Sequence, residues 1–299
     1  MKRSIPFVTC ALIALLTILA GGRAEAKDAT AAGPGDRVVC VSKQINEFIY
    51  AIGAEDHLVA HDLTSVYPPQ IKKLTSVGYH RALSAEGIIS MHPSVFLTDG
   101  NVGPRAVLEQ LRKVGIPVKV MAPGKTMEGA QQLMLRLGKY FHREQAAGKV
   151  VAQWRAKMAK IRQQSKSWAG KPEPRVLLIH FGQIINNYLA VGRGSPADQI
   201  IEWAGGVNAI TKKAGMVRLT PEMIAKSRPD VIIANNVAFE RFGNAEKFEQ
   251  LPGVGLTPAA RSGRIYMIPE QAIIYFGPRT PDTVLKLAKL LHPDALSGK

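Results

Sequence analysis

Short apolar runs and amphipathic stretches alternate along most of this chain. Residues 38–41, 58–60, 95–97 and 118–121 carry the compact apolar pattern of strands. Residues 45–52, 86–90 and 107–114 carry helical spacing, each stopped by Gly or Pro. The scheme resumes with strands at 175–180, 189–191, 231–234 and 265–267 and helices at 197–204, 222–227 and 280–291. This alternation predicts an α/β fold with mainly parallel sheets covered by helices. Between the two blocks, residues 144–168 lack Pro and hold one glycine, Gly148. Val150, Trp154, Met158 and Ile161 fall there at helical spacing, with Lys, Arg and Gln on the remaining face. A single helix of this length, about 35 Å, joins two lobes and resists hinge closure, so only small opening motions are expected.

One unit of the pattern is written twice. Leu83-Ser84-Ala85-Glu86-Gly87-Ile88, followed by Pro93-Ser94-Val95-Phe96-Leu97, returns as Leu219-Thr220-Pro221-Glu222-Met223-Ile224, followed by Pro229-Asp230-Val231-Ile232-Ile233. Each copy reads as a hydroxyl cap, a short helix with an acid in its first turn, a proline stop and a strand. Two similar lobes imply a cleft. Matched glutamates, Glu86 and Glu222, imply a partner that is itself two-fold.

Composition changes this picture at the start of the chain. Lys2 and Arg3 lead into an apolar run to Ala20, and Ala24-Glu25-Ala26 has the form of a secretory cleavage site. The expected organisation is a signal peptide over 1–26 cleaved after Ala26, an N-terminal lobe over 27–143, a linking helix over 144–168 and a C-terminal lobe over 169–299. Residues 27–37 read as a flexible lead-in. Export leaves Cys40 without a partner, inside the apolar run Val38-Val39-Cys40-Val41, where it reads as core. Losing Lys2, Arg3, Arg23 and Glu25 takes the formal charge from +16 to +14. That excess suits acidic ligands or anionic surfaces, but the basic residues are scattered and an exported chain meets no nucleic acid.

Tyr79 carries the most specific chemistry. It stands in Ser76-Val77-Gly78-Tyr79-His80-Arg81-Ala82-Leu83, where Gly78 frees the backbone and the cap at Ser84 fixes the start of the next helix. Ligands of open α/β sheets bind at loops that leave strand ends, which points Tyr79 into the cleft. A phenolate is a hard anionic donor suited to ferric iron. Its ordinary pKa of about 10 must fall for ligation at neutral pH, and both the metal and Arg81, on the same face, would lower it. The residues alone leave a second reading open, a surface tyrosine beside a surface arginine.

The segments Asp62-Leu63-Thr64-Ser65-Val66-Tyr67-Pro68, Val77-Gly78-Tyr79-His80-Arg81-Ala82-Leu83-Ser84-Ala85-Glu86-Gly87-Ile88, Gly103-Pro104 and Val107-Leu108 resemble the haem-binding branch of periplasmic binding proteins for ABC importers. The wider, helix-linked family includes the vitamin B12 and ferrichrome binding proteins. The likeness extends to Gly205-Gly206-Val207-Asn208 and Phe276-Gly277-Pro278-Arg279-Thr280-Pro281. It implies two Rossmann-like lobes joined by one long α-helix, a periplasmic monomer and haem held edge-on in the cleft. It implies Tyr79 as the axial ligand of ferric haem iron, with Arg81 steadying the phenolate or facing a propionate. Glu86 and Glu222 would dock on the dimeric permease of an ABC importer in the inner membrane. From the second lobe, His180 is a candidate sixth ligand, as some relatives use a histidine from this loop. Tyr188, Tyr275 and Phe276 are candidates to pack on the porphyrin face, and Arg279 or Arg218 to meet a propionate. A ferric siderophore or a corrinoid is the alternative cargo.

Signals for other chemistry fail on inspection. Gly192-Arg193-Gly194-Ser195-Pro196-Ala197 matches a dinucleotide fingerprint, but no acid follows about 20 residues on. Ser195 as cap, Pro196 and Asp198 account for it as a well-started helix. His57 and His61 straddle a strand rather than share a helix face. No nucleophile elbow or Walker lysine is present, so an enzyme is not expected.

Overall fold

The computed structural model describes residues 35–181 and 188–296. The expected signal peptide, its cleavage point and most of the lead-in lie outside these residues. The first half runs β1 (Val38–Val41), α1 (Lys43–Ala51), β2 (Leu58–His61), β3 (Thr75–Ser76), α2 (Ala85–Ile89), β4 (Val95–Thr98), α3 (Arg105–Lys113), β5 (Val118–Val120) and α4 (Met127–Tyr140). Its five strands pair in parallel in the order β3-β2-β1-β4-β5. α5 (Glu144–Gln164) comes next, about 31 Å long. A tighter turn over Ser165–Ser167 takes up the last residues the pattern assigned to the helix. The apolar spacing is shifted by one near its start, because Val151 rather than Val150 is the buried residue.

The second half runs β6 (Arg175–Phe181), β7 (Tyr188–Val191), α6 (Pro196–Trp203), β8 (Val207–Asn208), β9 (Met216–Arg218), α7 (Pro221–Ser227), β10 (Val231–Ala234), α8 (Asn236–Phe242), α9 (Ala245–Glu249), α10 (Pro258–Arg261), β11 (Ile265–Met267), α11 (Glu270–Ile273), α12 (Thr280–Leu291) and α13 (Pro293–Leu296). The main path of its sheet is β11-β10-β6-β7-β9, with β8 paired in parallel to β6. β10 pairs in parallel with β6 and β11, but β7 runs antiparallel to both β6 and β9. This half is therefore mixed, with three parallel pairings beside two antiparallel ones.

Side-chain alternation sorts these strands between three cores. Val39, Val41 and Phe96 face a core private to the first sheet, shared with Ile88 of α2 and Leu111 of α3. Leu177, Ile179 and Ile232 face a core private to the second, shared with Ile224 of α7 and Phe248 of α9. The opposite residues, Val38, Cys40, Leu97, Val176, Leu178 and Ile233, all enter one continuous core with α1, α4, α5, α6 and α12. Trp154 of α5 is 1% exposed there and meets Phe48 of α1 edge-on at 6.4 Å. Cys40 is a buried free thiol, as its apolar surroundings predicted. The two sheets are thus fused through a common core. This packing opposes wide opening.

α4 was passed over in the sequence reading, although Met127, Ala130, Leu133, Met134 and Leu137 lie buried at helical spacing. Gly138 is needed for contact: a Cβ there would stand 2.5 Å from the Ala147 Cβ of α5. The dinucleotide-like segment is a cap, since Ser195 Oγ accepts the Asp198 N–H at 3.1 Å. Among the described residues no helix is long and apolar enough to cross a membrane.

Candidate functional site

The C-terminal ends of parallel strands from both sheets meet where Lys43, after β1, pairs with Glu270, after β11. After β3, the chain turns at Gly78, whose φ of 93° is a left-handed conformation open to glycine. Backbone bonds hold the Tyr79 loop on both sides. Leu63 N donates to Gly78 O at 2.8 Å, Gly103 N to His80 O at 2.9 Å, and Leu83 N to Gly103 O at 2.9 Å. A firmly held loop thus presents a partly exposed side chain, Tyr79 being 39% exposed. Its ring lies 4.5 Å from that of His80, tilted by 60°. Arg81 is exposed and donates to Asn101 Oδ1 at 3.3 Å.

Beneath the loop, short polar side chains fix the strand ends. Ser42 donates to Asp99 Oδ2 at 2.7 Å, and Asp62, 1% exposed, accepts from Ser65 Oγ at 2.6 Å and Thr64 N at 2.9 Å. His80 Nδ1 is buried without a hydrogen-bond partner. Burial lowers the His80 pKa, with Lys43 and Arg81 adding to the effect and Asp62 and Asp99 opposing it.

The facing wall comes from the second sheet. His180 lies near the end of β6, Asn235 follows β10, and Glu270 opens α11. Asn235 Nδ2 donates to Phe181 O at 3.0 Å and stands 3.5 Å from both His180 Nδ1 and Glu270 Oε2. His180 Nδ1 is 3.9 Å from Glu270 Oε2. Burial lowers the His180 pKa, Glu270 opposes this, and Lys43 reinforces it. Lys43, the first residue of α1, crosses from the other wall and pairs with Glu270 Oε1. Sequence reasoning missed Lys43, Glu270 and Asn235; their one signal is position, each directly after a strand or at the start of a helix.

The structure places three of the candidates for this wall in contacts within the protein. Arg279 is already engaged: its guanidinium grips Glu47 of α1 at 2.8 and 2.6 Å and lies 3.5 Å over the Tyr67 ring. Glu47 is 4% exposed, and a buried carboxylate must be paired, so this arginine ties the halves together instead of meeting a propionate. Tyr275 joins the same knot, donating to Glu47 Oε2 at 2.7 Å, and burial raises its pKa. Phe276 is 1% exposed and packs on Trp203 at 5.5 Å, within the common core rather than on a cleft wall. Arg218 is exposed on β9, and the side chain of Tyr188 lies outside the described residues.

The duplicated glutamates sit alike. Ser84 caps α2 by accepting the Gly87 N–H at 3.2 Å, and Thr220 caps α7 by accepting the Met223 N–H at 3.3 Å. Ser84 also donates to Glu86 Oε2 at 2.7 Å. Both glutamates are fully exposed, and their pKa values are lowered, first by the capping hydroxyl and then by main-chain N–H groups.

Two sheets joined at their strand ends by Lys43 and Glu270, with one exposed phenol and an exposed glutamate on each half, fit the likeness to known proteins. Residues 38–272 match the pattern of the periplasmic binding protein family. The chain belongs to that family. Its members are substrate-binding transport proteins rather than enzymes, and they work outside the cytoplasm with an ABC permease as partner. Among solved structures, the periplasmic haem-binding protein RhuT of Roseiflexus sp. RS-1, in apo form, is similar with a TM-score of 0.80 and 29% identity, covering 88% of this chain and 100% of its own. An uncharacterized ABC transporter substrate-binding lipoprotein of Bacillus subtilis, YvrC, is 23% identical over 273 residues, 91% of this chain and 84% of its own. A vitamin B12-binding protein of Photorhabdus laumondii is 34% identical over 136 residues, 46% of this chain and 49% of its own. As a binding protein of this family, the chain has the right architecture for a cleft ligand passed on to a membrane partner.

Proposed function

We propose that this binding protein carries ferric haem through the periplasm to an ABC importer in the inner membrane. Tyr79 would ligate the iron through its deprotonated phenol, and Glu86 and Glu222 would dock on the two subunits of the permease. The observation that carries the reading is Tyr79 itself, exposed at a strand end on a loop held by three backbone hydrogen bonds. Among the described residues no group of three or more His, Cys, Asp or Glu is placed to hold a metal ion. One phenol therefore suits iron that arrives already held by four other donors, as in a porphyrin. The likeness to a haem-binding structure over nearly the whole fold supports the same cargo.

Mixing the purified protein with hemin should give the Soret and charge-transfer bands of tyrosinate-bound ferric haem. Tyr79→Ala should abolish them, and unchanged bands would overturn the assignment of the ligand. The identity to a vitamin B12-binding protein favours a second reading, a corrinoid or, more broadly, a ferric siderophore. Thermal unfolding with each ligand in turn separates the readings, because the true cargo raises the melting point most.

A further inference from the structure

We propose that Lys43 is the residue that reads a carboxylate on the ligand, and that Glu270 is the internal carboxylate it exchanges for the ligand's. This rests on the haem reading and deepens it. Lys43 stands at the first position of α1, directly after the cap Ser42 that follows β1, and its ammonium reaches across to the second half. It pairs there with a carboxylate from the opposite wall, Glu270 of α11. The remaining charges around it define a narrow locus. Its field acts on His80, beside Tyr79, and on His180, on the facing wall. Lys43 is therefore a cation close to the histidine beside Tyr79 and paired with the second half. Arg279 is spent on Glu47, and Arg81 donates to Asn101 on the first sheet.

The side chains of the pair are 21% and 16% exposed, so leaving Lys43 unpaired in a closed cleft is unfavourable. A haem propionate can replace the Glu270 carboxylate one for one, keeping Lys43 paired and releasing Glu270 toward His180 and Asn235, which already lie within 3.9 Å of it. The exchange conserves charge at Lys43 and selects for an acidic tetrapyrrole. A corrinoid, whose side chains are amides, offers no carboxylate to exchange.

The test compares hemin with hemin dimethyl ester, which keeps the iron and the ring but removes both negative charges, on wild type, Lys43→Gln, Lys43→Arg and Glu270→Gln. Lys43→Gln should weaken hemin about tenfold and leave the ester unchanged, while Lys43→Arg should retain the preference for the acid. Glu270→Gln should tighten hemin severalfold, because the competing carboxylate is gone. If the pair only ties the halves together, Lys43→Gln and Glu270→Gln will shift hemin in the same direction, and the inference falls. It falls too if wild type holds acid and ester equally through Tyr79, an outcome that leaves the haem reading intact. Absence of tyrosinate bands in wild type with hemin would overturn that reading, and this inference with it.

Discussion

The two halves of this chain agree on one side of their sheets and diverge on the other. On the agreeing side, β1-β4-β5 and β6-β10-β11 are both parallel, and the duplicated segment supplies β4 and β10. The likeness goes beyond the sequence repeat. His92 and Arg228, each just before the proline stop, both adopt left-handed φ, 49° and 43°. Arg37 N bonds Ser94 Oγ at 2.9 Å, and Arg175 N bonds Asp230 Oδ2 at 2.8 Å, joining the first strand of each half to the same point of the repeat. Both arginines then cap their repeat helix, Arg37 through Met91 O and His92 O, Arg175 through Ser227 O. On the diverging side the first half has parallel β2 and β3, and the second has antiparallel β7 and β9. Residues ahead of the second copy therefore pair with β7, whereas residues ahead of the first leave the sheet as the Tyr79 loop. The features proposed for docking fall on the shared scaffold and occur twice. The proposed iron ligand, Tyr79, follows the divergent edge strand β3 and occurs once.

The largest expected effect removes the feature that exists in one half only. Tyr79→Ala should weaken hemin by about a hundredfold, near 2.7 kcal/mol, in a spectrophotometric titration, with the melting temperature of the free protein little changed. Retention of wild-type affinity would mean that the iron is not held from the divergent edge.

Next come the paired arginines, which sharpen the comparison because their surroundings differ. Arg175 is partly buried, and its guanidinium also reaches Ala209 O at 3.3 Å; Arg37 is exposed. Hydrogen bonds from a buried charge are worth more than solvated ones, so Arg175→Ala should cost about 2 kcal/mol and Arg37→Ala about 1 or less, read from urea midpoints. Equal losses would show that burial does not separate the copies.

These arginines also mark where sequence legibility ends. The repeat from Leu83 and Leu219 could be read because its spacing is rigid at 136 residues. Arg37 and Arg175 lie 138 apart, since the intervening connections differ in length, and each meets its partner only through parallel strand pairing. Eight of the eleven described strands and seven of the thirteen described helices were legible from local pattern, the strands missed being the two- and three-residue β3, β8 and β9. The residues around Tyr79 left a surface tyrosine open, and it was the resemblance that singled it out. The Lys43–Glu270 and Glu47–Arg279 pairs were not, because their members are more than 220 residues apart and nothing local records the meeting. The surroundings of Phe276 and Tyr275 were hidden for the same reason: an aromatic pair near a Gly-Pro turn looks alike whether it lines a cleft or fills a core.

A smaller effect tests the doubled feature. Glu86→Ala and Glu222→Ala should each lower uptake by about tenfold in cells carrying the importer, while hemin titrations stay at wild-type values. The losses should be similar, since both carboxylates are fully exposed on matching caps. A loss confined to one variant would leave docking as one-sided as ligand binding.

The smallest effect lies in the pH dependence of stability. The capping hydroxyls and main-chain N–H groups hold the Glu86 and Glu222 carboxyls below the ordinary carboxylate range. A carboxyl with a depressed folded-state pKa stabilises the fold above its unfolded value, about 4.3, and loses that contribution as pH falls through the folded value. Burial holds His80, His180 and His292 low, so all forms of the protein should weaken as pH drops below about 6.5, and that slope cancels in a difference. The gap in urea midpoint between wild type and Glu86→Gln should then be constant near neutrality and close only below about pH 4.3. Glu222→Gln should trace the same curve. If one gap closes and the other is flat, the two caps are not equivalent, and the shared scaffold ends at the backbone.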